Sequence, residues 1–260
     1  MHQVRLFFTA LQFFTRLPIP RWVGFDPAWL NQASRYFPLV GVVVALITAA
    51  VYAVSFKLFP PAIAAILSTA AGIYVTGAFH EDGFADTCDG LGGGMTRDRA
   101  LDIMKDSRIG AYGAIGIVCL LLLKCATLTM LPPFGAMAAL VFAHPVSRLM
   151  ATSLIWRLDY ARAEGKAKPL AQTMTSPELA IAAATALAPA LLLVWLNWLS
   201  WTMLISGVVC ALAATAWLAR KFVQRIGGYT GDCLGAVQQV TEVVLYLCVL
   251  TGLHTGGQFF

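Results

Sequence analysis

Long apolar runs, separated by short polar or proline-containing breaks, occupy most of this chain. They fall at 38–58, 61–79, 110–131, 134–155, 179–197, 201–219 and 232–253. Each approaches the ~20 residues that an α-helix needs to cross ~30 Å of hydrocarbon. In lipid a backbone must satisfy its own polar groups, so the pattern predicts an all-α polytopic bundle of about seven transmembrane helices. Pro60-Pro61, Pro132-Pro133 and the Asn197 to Ser200 break divide six of the runs into three helical hairpins, because proline cannot continue a helix. A shorter segment, residues 3–16, places Val4, Phe7, Phe8, Leu11 and Phe14 on one side, with Arg5, Gln12 and Arg16 elsewhere. It is too short and too polar to span, and it predicts an N-terminal interfacial helix. Trp22, Phe25 and Trp29 then fit the aromatic belt of a membrane surface.

Composition strengthens that picture. The chain is 59% hydrophobic and 12% charged, against roughly a quarter charged in soluble domains, so residues 1–260 read as a single integral-membrane domain. A secretory signal is not expected, because Gln12 and Arg16 interrupt the first apolar run and no small-residue cleavage site follows. The net charge of +5 does not point to nucleic acid, since the basic residues are spread over loops. Of the 18 Lys and Arg, all but Lys57, Lys124 and Arg148 lie in the N-terminal segment, the segment 80–113, the Arg157 to Glu178 loop or the Arg220 to Asp232 loop. Positive charge is retained on the cytoplasmic side, which predicts an inside N-terminus, an outside C-terminus and these loops gathered on the cytoplasmic face. The six cysteines show no CxxC or metal-ligand spacing and read as small apolar residues.

The candidate chemistry sits in one charged island. His80 to Gly113 holds seven of the 13 acidic residues, namely Glu81, Asp82, Asp86, Asp89, Asp98, Asp102 and Asp106, beside Arg97, Arg99, Lys105 and Arg108. Asp82, Asp86 and Asp89 are spaced i, i+4, i+7, which on a helix aligns three carboxylates on one stripe. Like charges so aligned repel unless cations lie between them, and hard oxygen ligands without Cys or His select Mg²⁺, with Mn²⁺ as a substitute. Asp102 and Asp106 repeat the i, i+4 spacing on a second amphipathic segment. Gly90, Gly92, Gly93 and Gly94 suggest a flexible turn between the two, bringing backbone N–H groups to a phosphate. The alternative is a solvated loop whose acids pair with neighbouring arginines; exposed pairs of that kind contribute little and do not explain the shared face.

These residues carry a resemblance. HEDGFADTCDG at 80–90 followed by ALDIMKDSRIGAYGAIG at 100–116 closely resembles the signature of the cobalamin synthase (adenosylcobinamide-GDP ribazoletransferase) family. FFTRLPIP, RYFPLVG, Ser147-Arg148, YARAEG at 160–165 and GGYTGDCLGA at 227–236 extend the likeness, in family order, over nearly the whole chain. The resemblance implies attack by a hydroxyl of α-ribazole, or of its 5′-phosphate, on the cobinamide-linked phosphorus of adenosylcobinamide-GDP. GMP leaves, and the nucleotide loop of adenosylcobalamin or its phosphate is formed. It also implies a divalent metal; with the charge pattern above, the expected location is the cell inner membrane with the site facing the cytoplasm, with room for a homo-oligomer or association with other cobamide-assembly enzymes.

On that basis Asp82, Asp86 and Asp89, and after them Asp102 and Asp106, are the candidate metal ligands. His80, Glu81 and Asp82 are the candidate catalytic groups, with His80 alternatively ending its span. Lys105, Arg108, Arg148, Arg162 and Asp232 are the candidate substrate contacts, although Arg148 has the alternative of snorkelling and Asp232 of capping the last span. Lys166 and Lys168 join Arg157 and Arg162 in a basic loop, Glu242 faces the bundle interior with Gln238 and Gln239, and Lys124 snorkels outward. A CDP-alcohol phosphotransferase fits less well, because Asp86-Thr-Cys-Asp89-Gly90 is followed by Leu-Gly-Gly-Gly rather than Ala-Arg. A transporter fits less well because its ion site would lie near the bilayer midplane.

Overall fold

The computed structural model describes residues 1–24, 26, 28–162 and 173–255. The aromatic-belt candidate Phe25 and the loop residues Lys166 and Lys168 fall outside them. The helices are α1 (His2–Phe14), α2 (Trp29–Ala33), α3 (Phe37–Leu58), α4 (Pro61–Thr76), α5 (Phe79–Gly93), α6 (Arg97–Ile103), α7 (Ala111–Met130), α8 (Pro133–Arg157), α9 (Ser176–Trp195), α10 (Trp201–Ile226) and α11 (Gly231–Thr255). Among the described residues the sole β-type pairing is an isolated parallel bridge between Tyr160 and Tyr229. Six helices are long and apolar enough to cross a membrane, or seven if the bent pair α4–α5 counts as one span. The chain is a multi-pass membrane protein.

Proline occupies the first or second position of four of these helices, at Pro38, Pro61, Pro133 and Pro177, where the missing N–H has no helical partner to lose. α8 lies at the centre: Ala138, Ala139, Phe142, Ala143, Val146 and Met150 are all buried along it. It packs on α3, α9 and α11. The periphery is apolar and open, with Leu46, Ile115, Leu122, Leu192, Ile205 and Val209 exposed on α3, α7, α9 and α10, as expected where lipid is the solvent. α1 buries Leu6, Ala10, Leu11 and Phe14 and leaves Gln12 exposed, as is Arg16 just beyond it. It packs on α2 and α3, so the amphipathic expectation holds for Leu11, Phe14 and Gln12, while Val4 is exposed and Arg5 half-buried.

One run departs from its sequence pattern. Residues 61–79 read as one span leading straight into the charged island, but α4 ends at Thr76 and α5 leaves at 90°. Gly77 (φ +65°) and Ala78 (φ +59°) both adopt the left-handed conformation, and their N–H groups cap the Ile73 and Tyr74 carbonyls. Gly77 does this without strain, whereas Ala78 tolerates it only because tertiary packing demands the turn. The bend carries α5 and its carboxylates across one end of the bundle instead of along its axis. The glycine run 90–94 also differs: Gly90 to Gly93 are helical, and a Cβ on Gly94 would lie 2.5 Å from the Ala100 Cα. These glycines serve the tight return of α6 onto α5.

Candidate functional site

The site is built where α5 crosses α11. A Cβ on Gly83 would stand 3.0 Å from the Asp232 Cα, and one on Gly235 would stand 3.0 Å from the His80 carbonyl oxygen. Two helices therefore meet backbone to backbone, and the first turn of α11 is brought against the first turns of α5. Beside the crossing opens a cavity of about 350 Å³. Asp82, Asp232, Arg148, Arg162 and Tyr160 line its polar part, and Phe13, Phe14, Phe37 and Phe79 its apolar part. α1, α3, α5, α8, α11 and the 158–162 segment all contribute walls.

Asp82 is exposed and Asp86 half-buried on successive turns of α5. No hydrogen bond or ion pair to a described residue engages either carboxylate. Asp86 lies within electrostatic reach of Asp82, Asp232, Asp89 and Arg162. Asp232, on the opposite helix, accepts a hydrogen bond from Arg162 Nη2 at 2.9 Å and one from Thr230 Oγ1 at 3.2 Å. The cap of α11 is Thr230, whose hydroxyl accepts the Cys233 N–H at 3.3 Å, so Asp232 is not the cap that the sequence allowed. The Tyr160 phenol is raised above its ordinary 10.0 by burial, opposed by Arg162, and it remains a hydrogen-bond donor at neutral pH.

The other sequence candidates separate. Asp89 shares the α5 stripe but is buried, and its two oxygens accept the backbone N–H groups of Gly110 at 2.7 Å and Gly113 at 2.8 Å. It thereby caps the start of α7 from a neighbouring helix, where a negative charge is favoured. Asp102 is exposed on α6, which ends at Ile103, so Asp106 lies beyond the helix and the expected shared face does not form. Asp106 is instead gripped by Arg108, with Nη2 to Oδ2 at 2.6 Å and Nε to Oδ1 at 3.0 Å. That pair holds the Asp106 carboxyl down at about 2. Arg108 and Lys105 are exposed and do not line the cavity. Among the described residues no group of three or more His, Cys, Asp or Glu side chains is gathered tightly enough to hold a metal by itself.

His80 is buried and stacks on Phe14 with ring centroids 5.5 Å apart, and it lines the cavity beside Asp82. Glu81 points the other way, into the bundle, where its Oε1 accepts from Gln239 Nε2 at 2.8 Å. There it joins a buried polar network around a small internal cavity of about 20 Å³. Lys124 Nζ is 2.7 Å from Glu242 Oε1 and donates to Gln239 Oε1 at 2.9 Å. Tyr246 Oη donates to Glu242 Oε1 at 2.9 Å, and His144 Nδ1 is 3.2 Å from Glu242 Oε2. Lys124 is thus paired inside rather than snorkelling outward. Arg148 is also interior, 4% exposed, donating through Nη1 to the His144 carbonyl at 2.9 Å. His80, Arg148 and Gln238 line both cavities, so they form the partition between the network and the mouth.

Phe13, Phe37, Phe79 and Tyr160 were not singled out by spacing, since they come from α1, α3, α5 and the 158–162 segment, whereas Gln238 and Phe14 were placed only on the inward faces of their own helices. Arg97, counted in sequence among the island's charges, donates to the Ile226 carbonyl at 2.9 Å and the Ala161 carbonyl at 2.7 Å. It ties the start of α6 to the segment that carries Tyr160 and Arg162. The Tyr160–Tyr229 bridge, with Ala161 N–H donating to the Tyr229 carbonyl at 2.8 Å, anchors that segment beside the start of α11.

Comparison with known proteins agrees over the whole membrane domain. The family model described as cobalamin-5-phosphate synthase matches residues 6–250. The adenosylcobinamide-GDP ribazoletransferase of Leptothrix cholodnii is 47% identical, over 97% of this chain and 97% of that protein. The proteins of the same name from Shewanella frigidimarina and Ralstonia pickettii are 46% and 45% identical, over 96% and 91% of this chain and 95% and 91% of theirs. No solved structure matches the chain. With a family model covering nearly all its length and relatives of this similarity from end to end, the chain belongs to the cobalamin-5-phosphate synthase family.

Proposed function

We propose that this chain is an adenosylcobinamide-GDP ribazoletransferase that completes the nucleotide loop of a cobamide. A hydroxyl of α-ribazole, or of its 5′-phosphate, forms a bond to the cobinamide-linked phosphorus. The bond from that phosphorus to the bridging oxygen breaks, GMP leaves, and the hydroxyl proton passes to a base or to solvent. The observation that carries this reading is the convergence of Asp82, Asp232, Arg148, Arg162 and Tyr160 on one cavity, in a chain whose relatives bear that name. Arg162 and Arg148 are placed to bind diphosphate oxygens, and guanidinium groups suit them through paired N–H donors. Such positioning and charge stabilisation supply most of the catalysis in phosphoryl transfer.

Asp82 and Asp86 would hold Mg²⁺, with Mn²⁺ as a substitute. They are hard oxygen donors one turn apart, engaged by no described hydrogen-bond donor, and too few to form a complete protein cage. That suits an ion normally held by one or two carboxylates together with substrate phosphates. The metal's contribution, once bound, is to neutralise charge on the diphosphate and its leaving group. His80, on the cavity wall beside Asp82, is better placed than Glu81 to take the hydroxyl proton. The basic-loop pattern orients this end of the bundle toward the cytoplasm, with the N-terminus inside and the protein in the cell inner membrane.

Folded protein in detergent, given adenosylcobinamide-GDP, α-ribazole and Mg²⁺, should release GMP and yield a complete cobamide, and EDTA should abolish the reaction. No GMP under any metal condition would overturn the assignment. GMP release that is indifferent to EDTA would overturn the metal.

A further inference from the structure

The cavity lining is of two chemical kinds, and the polar residues alone account for the proposed phosphoryl transfer. Among the apolar ones Phe14 meets Phe37 and Phe79 edge to face, with centroids 4.5 and 5.5 Å away, and Phe13 meets Phe79 at 5.1 Å. The four rings come from three different elements, α1, α3 and α5, and all line the cavity. Two of them remain substantially open: Phe13 is 38% exposed and Phe79 40% exposed. Phe14 and Phe37, by contrast, are buried, so the cluster joins two open rings to two packed ones. Here the rings are held by edge contacts and present apolar surface to a cavity that Arg148, Arg162 and Asp82 also line.

We infer that this phenylalanine pocket, Phe13, Phe14, Phe37 and Phe79, receives the aromatic base of the acceptor nucleoside and so determines which base is incorporated. The inference rests on the proposed transferase reading and deepens it. Two flat heterocycles enter that reaction, the guanine of the donor and the benzimidazole-type base of the acceptor. Guanine carries hydrogen-bonding groups around its edge, and a wall of phenyl rings would leave them unsatisfied at high cost. A dimethylbenzimidazole edge is methyl and C–H, which phenyl rings suit, with offset or edge-on ring contacts adding ~0.5–1.5 kcal/mol beyond area burial. The volume agrees: about 350 Å³ lies at the small end of the ~300–1,000 Å³ range of ligand sites. It accommodates a nucleoside but not a corrin macrocycle with its amide side chains. With the base among the phenylalanines, the ribose hydroxyls extend toward Asp82 and Arg148, where the diphosphate would be held.

The test is steady-state kinetics of the full chain in detergent, comparing wild type with Phe79→Ala and Phe79→Leu. The acceptors are α-ribazole and its analogue lacking the two ring methyls. In Phe79→Ala the KM for α-ribazole should rise roughly tenfold, as loss of one ring contact implies, while the KM for adenosylcobinamide-GDP stays within about twofold. Wild type should prefer α-ribazole over the demethylated analogue by at least about tenfold in kcat/KM, the usual worth of small apolar groups in a pocket. Both Phe79 variants should flatten that preference, the leucine, which retains bulk without a ring face, by the smaller amount. A rise confined to the KM of the GDP-linked substrate would place guanine or the corrin in the pocket and overturn the inference. Unchanged KM values and preference in folded variants would make the cluster a packing or lipid-contact feature and overturn it equally. If folded wild type releases no GMP, it is the transferase reading that fails, and this inference falls with it.

Discussion

Asp82 and Glu242 are both acidic residues on helices of one membrane protein, yet their surroundings are opposite. Glu242 is 1% exposed in the middle of α11 and is surrounded by Lys124, His144, Gln238 and Tyr246. Asp82 is exposed at a cavity rim, with Asp86 a turn away and Asp232 across from it, and no described donor engages it. A carboxylate deep in a bundle must be neutralised by its neighbours, because an unpaired charge there costs several kcal/mol. A carboxylate at the rim is hydrated and can remain unpaired until a ligand arrives. The interior network therefore balances its own charge, and the unpaired rim carries the proposed function, even though both would read in sequence simply as acids near apolar runs.

Variants can break this contrast. The largest effect is expected at the rim: Asp82→Asn and Asp86→Asn should each lower kcat roughly 10²–10³-fold with membrane insertion and melting temperature unchanged. Loss of folded protein in place of activity would make these residues structural and dissolve the comparison. Next is the interior. Glu242→Gln strands the Lys124 ammonium and should destabilise the fold by about 3–5 kcal/mol, read as a lower melting temperature in detergent. Adding Lys124→Met should restore much of that loss, since no lone charge then remains. If the double variant is no better than the single, the network does more than balance charge. The smallest effect is expected at Asp106→Asn, which should leave turnover within about twofold. The Asp106 carboxyl sits at about 2, below its ordinary 3.8. What its pairing with Arg108 contributes is therefore present above 3.8 and lost as pH falls through 2, so the stability profiles of wild type and variant should run parallel, a small offset apart, from about pH 5 to 9 and converge as pH falls toward 2.

The island's chemistry was legible because it is local. Spacing i, i+4 places Asp82 and Asp86 on one face of α5, and the HEDGFADTCDG run identified the family. The same spacing misled at Asp102 and Asp106, because α6 ends one turn too soon. At Asp89 spacing could not reveal that Gly110 and Gly113, more than twenty residues away, would take both oxygens. Lys124 illustrates the general reason: its partner Glu242 lies on another helix 118 positions along the chain, and no periodicity encodes which helices become neighbours.

Alone, the sequence determined the membrane class, six of the spans, the first helix and the presence of a carboxylate-rich island, since each follows from hydropathy and short-range periodicity. The tertiary structure decided the rest. It turned α5 through 90° at Gly77 and Ala78 and let Gly83 and Gly235 bring α5 onto α11. It thereby set the unpaired Asp82, the Arg162–Asp232 pair, the buried Arg148 and four phenylalanines around one cavity. These are consequences of which surfaces pack together, and packing is decided by the whole bundle at once.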